Sequence, residues 1–175
     1  MNAPPENFSA EIPHGFRSRV AVHCPAGHPC VLMLYPLQRR RGQRAPFPTL
    51  YWLICPRLCT ELAHLERIGT IAALAAELAA PSPETNAENL PNLRAQLAHA
   101  HQDYIAQRWA LLTPQDQHFI TTQGWLRDFQ QRGIGGLRNP AAVKCLHLHL
   151  AHELARGNPL GRLLTQRYNL HRCDN

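Results

Sequence analysis

The chain has 175 residues, 45% of them hydrophobic, and a formal net charge of +6 at pH 7. This length and composition are typical of one globular domain with a substantial core. A transmembrane helix needs an apolar run of about 18 residues, and every apolar run in this sequence is much shorter. A secretory signal has a basic segment followed by an apolar one, and the N-terminal residues do not show this pattern. The sequence therefore favours a cytoplasmic protein with no membrane span.

The positive charge comes from arginine, since Lys144 is the only lysine in the chain. Guanidinium groups bind phosphate and carboxylate through paired hydrogen bonds. A phosphorylated ligand, RNA or an acidic protein is therefore a reasonable partner. A modest positive charge is also typical of proteins that bind none of these, so charge alone does not identify a partner.

The first third of the chain predicts an arm and a small sheet. The proline-containing residues 1–15 indicate a flexible arm. Alternation and branched or aromatic residues predict three antiparallel strands, at 17–24, 30–35 and 49–54. The turn between the first two strands carries His23, Cys24, His28 and Cys30. The arginine-rich segment 39–44 predicts a solvated loop, with a phosphate contact as the alternative.

The remainder predicts about five helices from the spacing of its apolar residues. They cover 56–78, 87–112, a segment beginning at 113–114, a central helix from 139–140 to 157, and a last helix beginning at 158–159. Gly69 is expected to bend or interrupt the first of them. The prediction is an α+β fold, with a small antiparallel three-stranded N-terminal sheet (16–55) packed on the helical part (56–173) in one domain.

The central helix concentrates ligand-type side chains, namely Cys145, His147, His149 and His152. A helix advances about 100° per residue. His147 is therefore expected on the core side with the leucines, whereas Cys145, His149 and His152 share the opposite side at spacings of four and three. Thiolate and imidazole are ligands for zinc or another late transition metal.

Three ligands from one helix leave a tetrahedral site incomplete, so a fourth ligand must come from elsewhere in the chain. The candidates are His23, Cys24, His28, Cys30 and Cys173. A protein ligand in that position would make the metal structural, whereas water would leave it open for catalysis. The simpler alternative is a polar helix face next to a hydrogen-bonded core histidine.

The glycine-containing loop 133–140 predicts a second kind of site. Backbone N–H groups and the start of the following helix can hold an anion. The candidate residues are Gly133, Gly135, Gly136, Arg138 and Lys144. The spacing is not that of a nucleotide-binding Walker loop, and a tight turn between helices is the simpler explanation of the glycines. Cys55, just before a helix, is a candidate nucleophile or a small capping residue.

Several of these segments together resemble the bacterial domain-of-unknown-function family numbered 501. They are 24–25, 46–53, 133–136, 143–147 and 158–159, with His152 and a cysteine near the C-terminus. The family pattern includes positions matching Cys24, Cys145, His147, His152 and Cys173 and does not require Cys55 or His149. The resemblance implies no activity.

The ligand set that the resemblance implies is Cys24, Cys145, His152 and Cys173. The weaker candidates are His149, His147, His23 and His28. Zinc is the expected metal, and an iron–sulfur cluster is the alternative. Such a site would join the hairpin, the central helix and the C-terminal tail. Two other functions stay open: a phosphate-, nucleotide- or RNA-binding module or enzyme without metal, and a protein-interaction module. The sequence indicates no reaction.

Overall fold

A computed structural model describes residues 16–40, 42–79 and 90–170. The predicted arm 1–15 and the predicted ligand Cys173 lie outside these residues. The described strands form two antiparallel sheets: β1 (Ser18–His23), β2 (Pro29–Leu34), β3 (Leu37–Arg40), β4 (Gln43–Pro46) and β5 (Tyr51–Leu53). One sheet has the order β1-β2-β5, and the other pairs β3 with β4. The small three-stranded antiparallel sheet is thus confirmed.

The β3–β4 hairpin replaces the predicted solvated loop at 39–44. Its first strand is anchored by Gln38, which is 1% exposed. The Gln38 amide donates hydrogen bonds to the carbonyls of Tyr35 at 2.8 Å and Arg17 at 3.0 Å. A buried, fully bonded amide stabilises this turn of the chain, and the arginine run concealed that signal in the sequence.

The described residues also form seven α-helices: α1 (Pro56–Arg67), α2 (Thr70–Ala79), α3 (Leu90–Ala110), α4 (Pro114–Thr122), α5 (Leu126–Gln131), α6 (Leu146–Arg156) and α7 (Pro159–Tyr168). The α+β class is confirmed, with seven helices where about five were expected. Gly69 and Gly124 have φ of +90° and +73°. Because this left-handed conformation ends a helix, each glycine divides one predicted helix into two.

The central helix α6 begins at Leu146, later than the predicted start at 139–140. Asn139 instead forms a local turn, because its side-chain oxygen accepts the Ala141 N–H at 3.0 Å. Cys145 is extended, with φ −160° and ψ 128°, and its own side chain makes no capping hydrogen bond. The Leu146 N–H donates instead to Glu66 Oε1 at 2.6 Å, so a carboxylate from α1 caps α6.

Helix α6 lies at the centre of the larger core, between α1, β5 and α7. The core members on α6 and its neighbours include Leu58, Leu62, Tyr51, Leu146, Leu150, Leu160 and Leu164. A smaller core contains Tyr35, Leu37, Leu112, Ile120 and Phe129. Among the described residues, no helix combines the length and apolar character that crossing a membrane requires.

Candidate metal centre

Glu66, Cys145 and His147 come together where the end of α1 meets the start of α6. His147 Nδ1 lies 3.0 Å from Glu66 Oε1 and 3.7 Å from Cys145 Sγ. One donor atom from each of the three residues lies within 4.8 Å of the others. Across 16–40, 42–79 and 90–170, no other group of three or more such side chains is this close. All three residues are half-buried, so small solutes can reach them.

The two helices position these side chains by ordinary packing. Leu58, Leu62 and Leu65 bury the inner face of α1, which leaves Glu66 on the edge next to α6. There Glu66 accepts the Leu146 N–H, and this contact sets where α6 begins. Cys145 therefore precedes the first turn, and His147 follows within it.

The second ring nitrogen of His147 is also engaged. Nε2 lies 3.2 Å from the carbonyl oxygen of Cys59. A carbonyl only accepts hydrogen bonds, so Nε2 carries a proton and donates it. Nδ1 is consequently the nitrogen that faces Cys145 and Glu66.

The electrostatics of the group favour charge. The hydrogen bond with Cys145 raises the pKa of His147 to about 9. Burial opposes this shift, and the hydrogen bond with Glu66 adds to it. Burial raises the pKa of Glu66, but hydrogen bonds from His147, Leu146 and Cys145 outweigh it and lower the pKa overall. Burial raises the pKa of Cys59, and negative charge on Cys55 and Cys145 raises it further. These three thiols are therefore electrostatic neighbours.

The expected division of the central helix into two faces is wrong. His147, expected on the core side, is 25% exposed. His149 and His152, expected on the opposite side with Cys145, are each 1% exposed. Both faces of α6 are packed, one by α1 and the other by α7 and β5, and Cys145 precedes the helix. A face defined by angle alone therefore does not decide burial here.

His149 and His152 belong to a buried polar cluster. The His152 ring stacks on Tyr51 at 5.5 Å and meets the Tyr104 ring edge-on at 5.2 Å. Asn158, which is 0% exposed, lies 3.2 Å from His152 Nδ1 and 3.4 Å from His149 Nδ1. Burial, with charge on His101 adding to it, lowers the pKa of His149 to about 3 and that of His152 to about 4.

The other predicted metal ligands lie apart from this group. Cys24 is 5% exposed at the β1–β2 turn, and its Sγ is 3.8 Å from His28 Nδ1. His23 and His28 are exposed. The set Cys24, Cys145, His152 and Cys173 stays a prediction, since Cys173 is outside the described residues. Cys55 is 3% exposed at the start of α1, where burial blocks access of a substrate to its thiol.

The glycine loop uses most of its amides internally. Gly133 N–H donates to Leu137 at 2.8 Å, and Gly136 N–H donates to Gly133 at 3.0 Å. Arg138 pairs with Asp128 at 3.0 Å, and Lys144 donates to the Gly135 carbonyl at 3.3 Å. The predicted anion site stays a prediction, and an incoming anion would compete with these contacts.

Glu66 is the participant that sequence reasoning missed. It stands 80 residues before the backbone group that it caps, and no motif links the two. One signal was present: Glu66 lies in the last turn of α1, where the helix dipole disfavours a negative charge. An acidic residue in that position is compensated by a partner from elsewhere.

These features define a small α+β protein with a half-open Glu/Cys/His group between two helices. The chain belongs to the family described as "Protein of unknown function (DUF501)", whose model matches residues 20–166. The resemblance seen in the sequence is thereby confirmed. No curated protein and no solved structure matches the chain.

Proposed function

We propose that the protein binds a transition metal ion, zinc foremost, through Glu66, Cys145 and His147. The observation that carries this is the spacing of the donor atoms. Zinc lies about 2.0–2.2 Å from nitrogen and oxygen ligands and about 2.3 Å from sulfur. Tetrahedral angles then separate nitrogen from sulfur by about 3.6 Å and nitrogen from oxygen by about 3.4 Å. The distances here are 3.7 and 3.0 Å.

The contact of His147 with Cys59 supports the same function. Metal-binding histidines commonly donate their other ring N–H to a carbonyl or carboxylate, which fixes the ring. His147 Nε2 does this with the Cys59 carbonyl, so Nδ1 is held toward the other two donors. A metal at this point takes the place of the Nδ1 proton.

The donor set favours zinc over harder ions. Thiolate and imidazole suit zinc and its neighbours, whereas magnesium and calcium prefer oxygen ligands. Three protein ligands in a half-buried position leave a fourth place for water, which is the arrangement of a catalytic zinc site.

The same geometry disfavours a cysteine nucleophile activated by His147. In nucleophile–histidine–acid arrangements the thiol and the acid contact different ring nitrogens. Here Cys145 and Glu66 both approach Nδ1, while Nε2 bonds to a backbone carbonyl. The ring thus gathers two donors at one point, as metal binding requires.

Elemental analysis of protein purified without added metal tests the proposal, followed by chelation and titration with Zn²⁺ or Co²⁺. Glu66→Gln, Cys145→Ser and His147→Gln should each lower the bound metal, with Glu61→Gln on the same helix as the matched control. A thiolate-bound cobalt should show a charge-transfer absorption that Cys145→Ser removes. Wild-type protein that binds neither ion would overturn the proposal.

Two further variants separate this ligand set from the one that the family resemblance implies. If Cys24, Cys145, His152 and Cys173 hold the metal, Cys24→Ser and Cys173→Ser lose it and Glu66→Gln keeps it. With Glu66, Cys145 and His147 as ligands, the pattern is reversed. An iron–sulfur cluster would be recognised by iron and inorganic sulfide in the purified protein.

A further inference from the structure

A cleft of about 480 Å³ lies between α3 and the α6–α7 connection, away from the candidate metal centre. Its polar lining consists of Gln96, His99, Asp103, Gln107, His152, Arg156 and Arg162. A second hollow of about 540 Å³ adjoins it and shares Asp103, Gln107 and Arg156. We call the first of these the α3 cleft. The hydrogen bonds behind it determine which groups it offers to a ligand.

Gln107 offers a donor. Its Oε1 accepts a hydrogen bond from the Tyr51 hydroxyl at 3.0 Å. The amide orientation is therefore fixed, and the Nε2 hydrogens have no acceptor among the described residues. Gln107 thus contributes N–H groups to the α3 cleft.

His152 offers a second donor, because its contact with Asn158 determines which ring nitrogen carries the proton. Asn158 Oδ1 accepts the Gly161 N–H at 2.9 Å, so Asn158 Nδ2 is the group that meets His152 Nδ1. The amide nitrogen donates, so His152 Nδ1 accepts and the ring proton resides on Nε2. His152 is 1% exposed, and its position in the lining is fixed by stacking on Tyr51.

Arg156 and Arg162 add positive charge. Arg156, in the last turn of α6, forms no ion pair with a described side chain. Arg162 pairs with Glu153 through Nε at 3.4 Å, which leaves its terminal nitrogens available. The one carboxylate in the lining, Asp103, lies 2.9 Å from His99 Nδ1 at the exposed rim. Donors and cations therefore outnumber acceptors in the α3 cleft.

We propose that the α3 cleft binds a small oxyanion, the phosphate or carboxylate group of a small molecule, between Arg156, Gln107 and His152. Guanidinium and N–H donors are the groups that recognise such anions. The buried hydrogen bonds from Tyr51 and Asn158 orient two of the donors before the ligand arrives, which lowers the cost of binding.

The test is saturable thermal stabilisation of the full chain by inorganic phosphate and by succinate, with chloride at equal ionic strength as the reference. The two anions distinguish phosphate from carboxylate recognition. Arg156→Met should weaken the binding constant about tenfold or more, as loss of a charge-assisted hydrogen bond implies. Arg127→Met removes the same charge from an exposed position of α5 and should leave the binding constant within about twofold.

Gln107→Glu provides a second variant. A glutamate can still accept from Tyr51 but presents oxygen in place of N–H groups, so it should abolish anion binding while preserving the fold. Glu66→Gln should leave anion binding unchanged, which separates this site from the metal centre. The proposal would be overturned if the wild-type chain were stabilised no more by phosphate and succinate than by chloride. Equal affinity in the Arg156→Met and Arg127→Met variants would also overturn it.

Discussion

On the α1 side of α6, His147 lies between a carboxylate and a thiol, and its pKa rises to about 9. On the other side, His149 lies next to the Asn158 amide, and His152 lies against that amide and two tyrosine rings. Burial lowers their pKa values to about 3 and 4. The contrast teaches that burial and the partners of each ring, and not its angle on the helix alone, set its charge. One helix therefore holds a charged, half-buried group and a neutral, buried one.

The largest expected effect is destabilisation of the fold by acid, caused by the buried histidines. Unfolded histidine has a pKa of about 6.5, whereas His149, His152 and His101 have folded values of about 3 to 4. Below pH 6.5 the unfolded chain therefore binds protons that the folded chain does not. The free energy of unfolding should fall with pH by up to about 1.4 kcal/mol per pH unit for each histidine.

Urea denaturation at pH 7.5, 6 and 5 with chelator present measures this slope. His152→Phe keeps an aromatic ring against Tyr51 and should remove about one histidine's share of the slope. A free energy of unfolding that is constant between pH 7.5 and pH 5 would show that the cluster is open to protons. The contrast between the two sides of α6 would then be lost.

Asn158→Ala should destabilise the protein by at least about 3 kcal/mol. The change removes the N-cap of α7, worth about 1 kcal/mol, and leaves buried nitrogens of His149 and His152 unpaired, at about 1–3 kcal/mol each. Asn139→Ala is the control, since Asn139 is exposed and bonds only within its own turn. A loss no larger than that of the control would mean that Asn158 does not organise the buried cluster.

Glu66→Gln should act on the α1 side of α6 and cost about 1 kcal/mol in metal-free protein at pH 7. A raised histidine pKa stabilises the fold below about 6.5, and this stability is lost as pH rises through about 9. The variant should weaken that alkaline transition and lower the pKa of His147 in a nuclear magnetic resonance titration. Signals of His149 and His152 should not move. Glu61→Gln, which loses only an exposed pair with Arg57, should change the stability by less than about 0.5 kcal/mol.

The smallest effect is expected for Tyr51→Phe. The ring that stacks on His152 is kept, and only the hydroxyl that donates to Gln107 is lost. Because water in the α3 cleft can replace it, the cost should be about 0.5–1 kcal/mol. A larger loss in chemical denaturation would show that this hydrogen bond, and not the stacked ring, holds the cluster together.

The sequence predicted the classes of structure better than the contacts between them. The α+β class and the three-stranded sheet follow from periodicity, which is a local property. The start of α6 was predicted too early because Asn139 and Pro140 form a favourable local start signal, yet the N–H group that begins the helix is capped by Glu66. The burial of His149 and His152 depends on Asn158 and on rings from β5 and α3, which no local pattern shows.

The cap from Glu66 to Leu146 has a consequence for how the chain folds. A helix of 11 residues is marginal in isolation, and this one obtains its N-terminal acceptor from a residue 80 positions earlier. Formation of α6 and docking of α1 should therefore be one kinetic event, and a peptide spanning 140–170 should be poorly helical by itself. A metal held by the same three residues would close that long loop and slow unfolding in the manner of a cross-link.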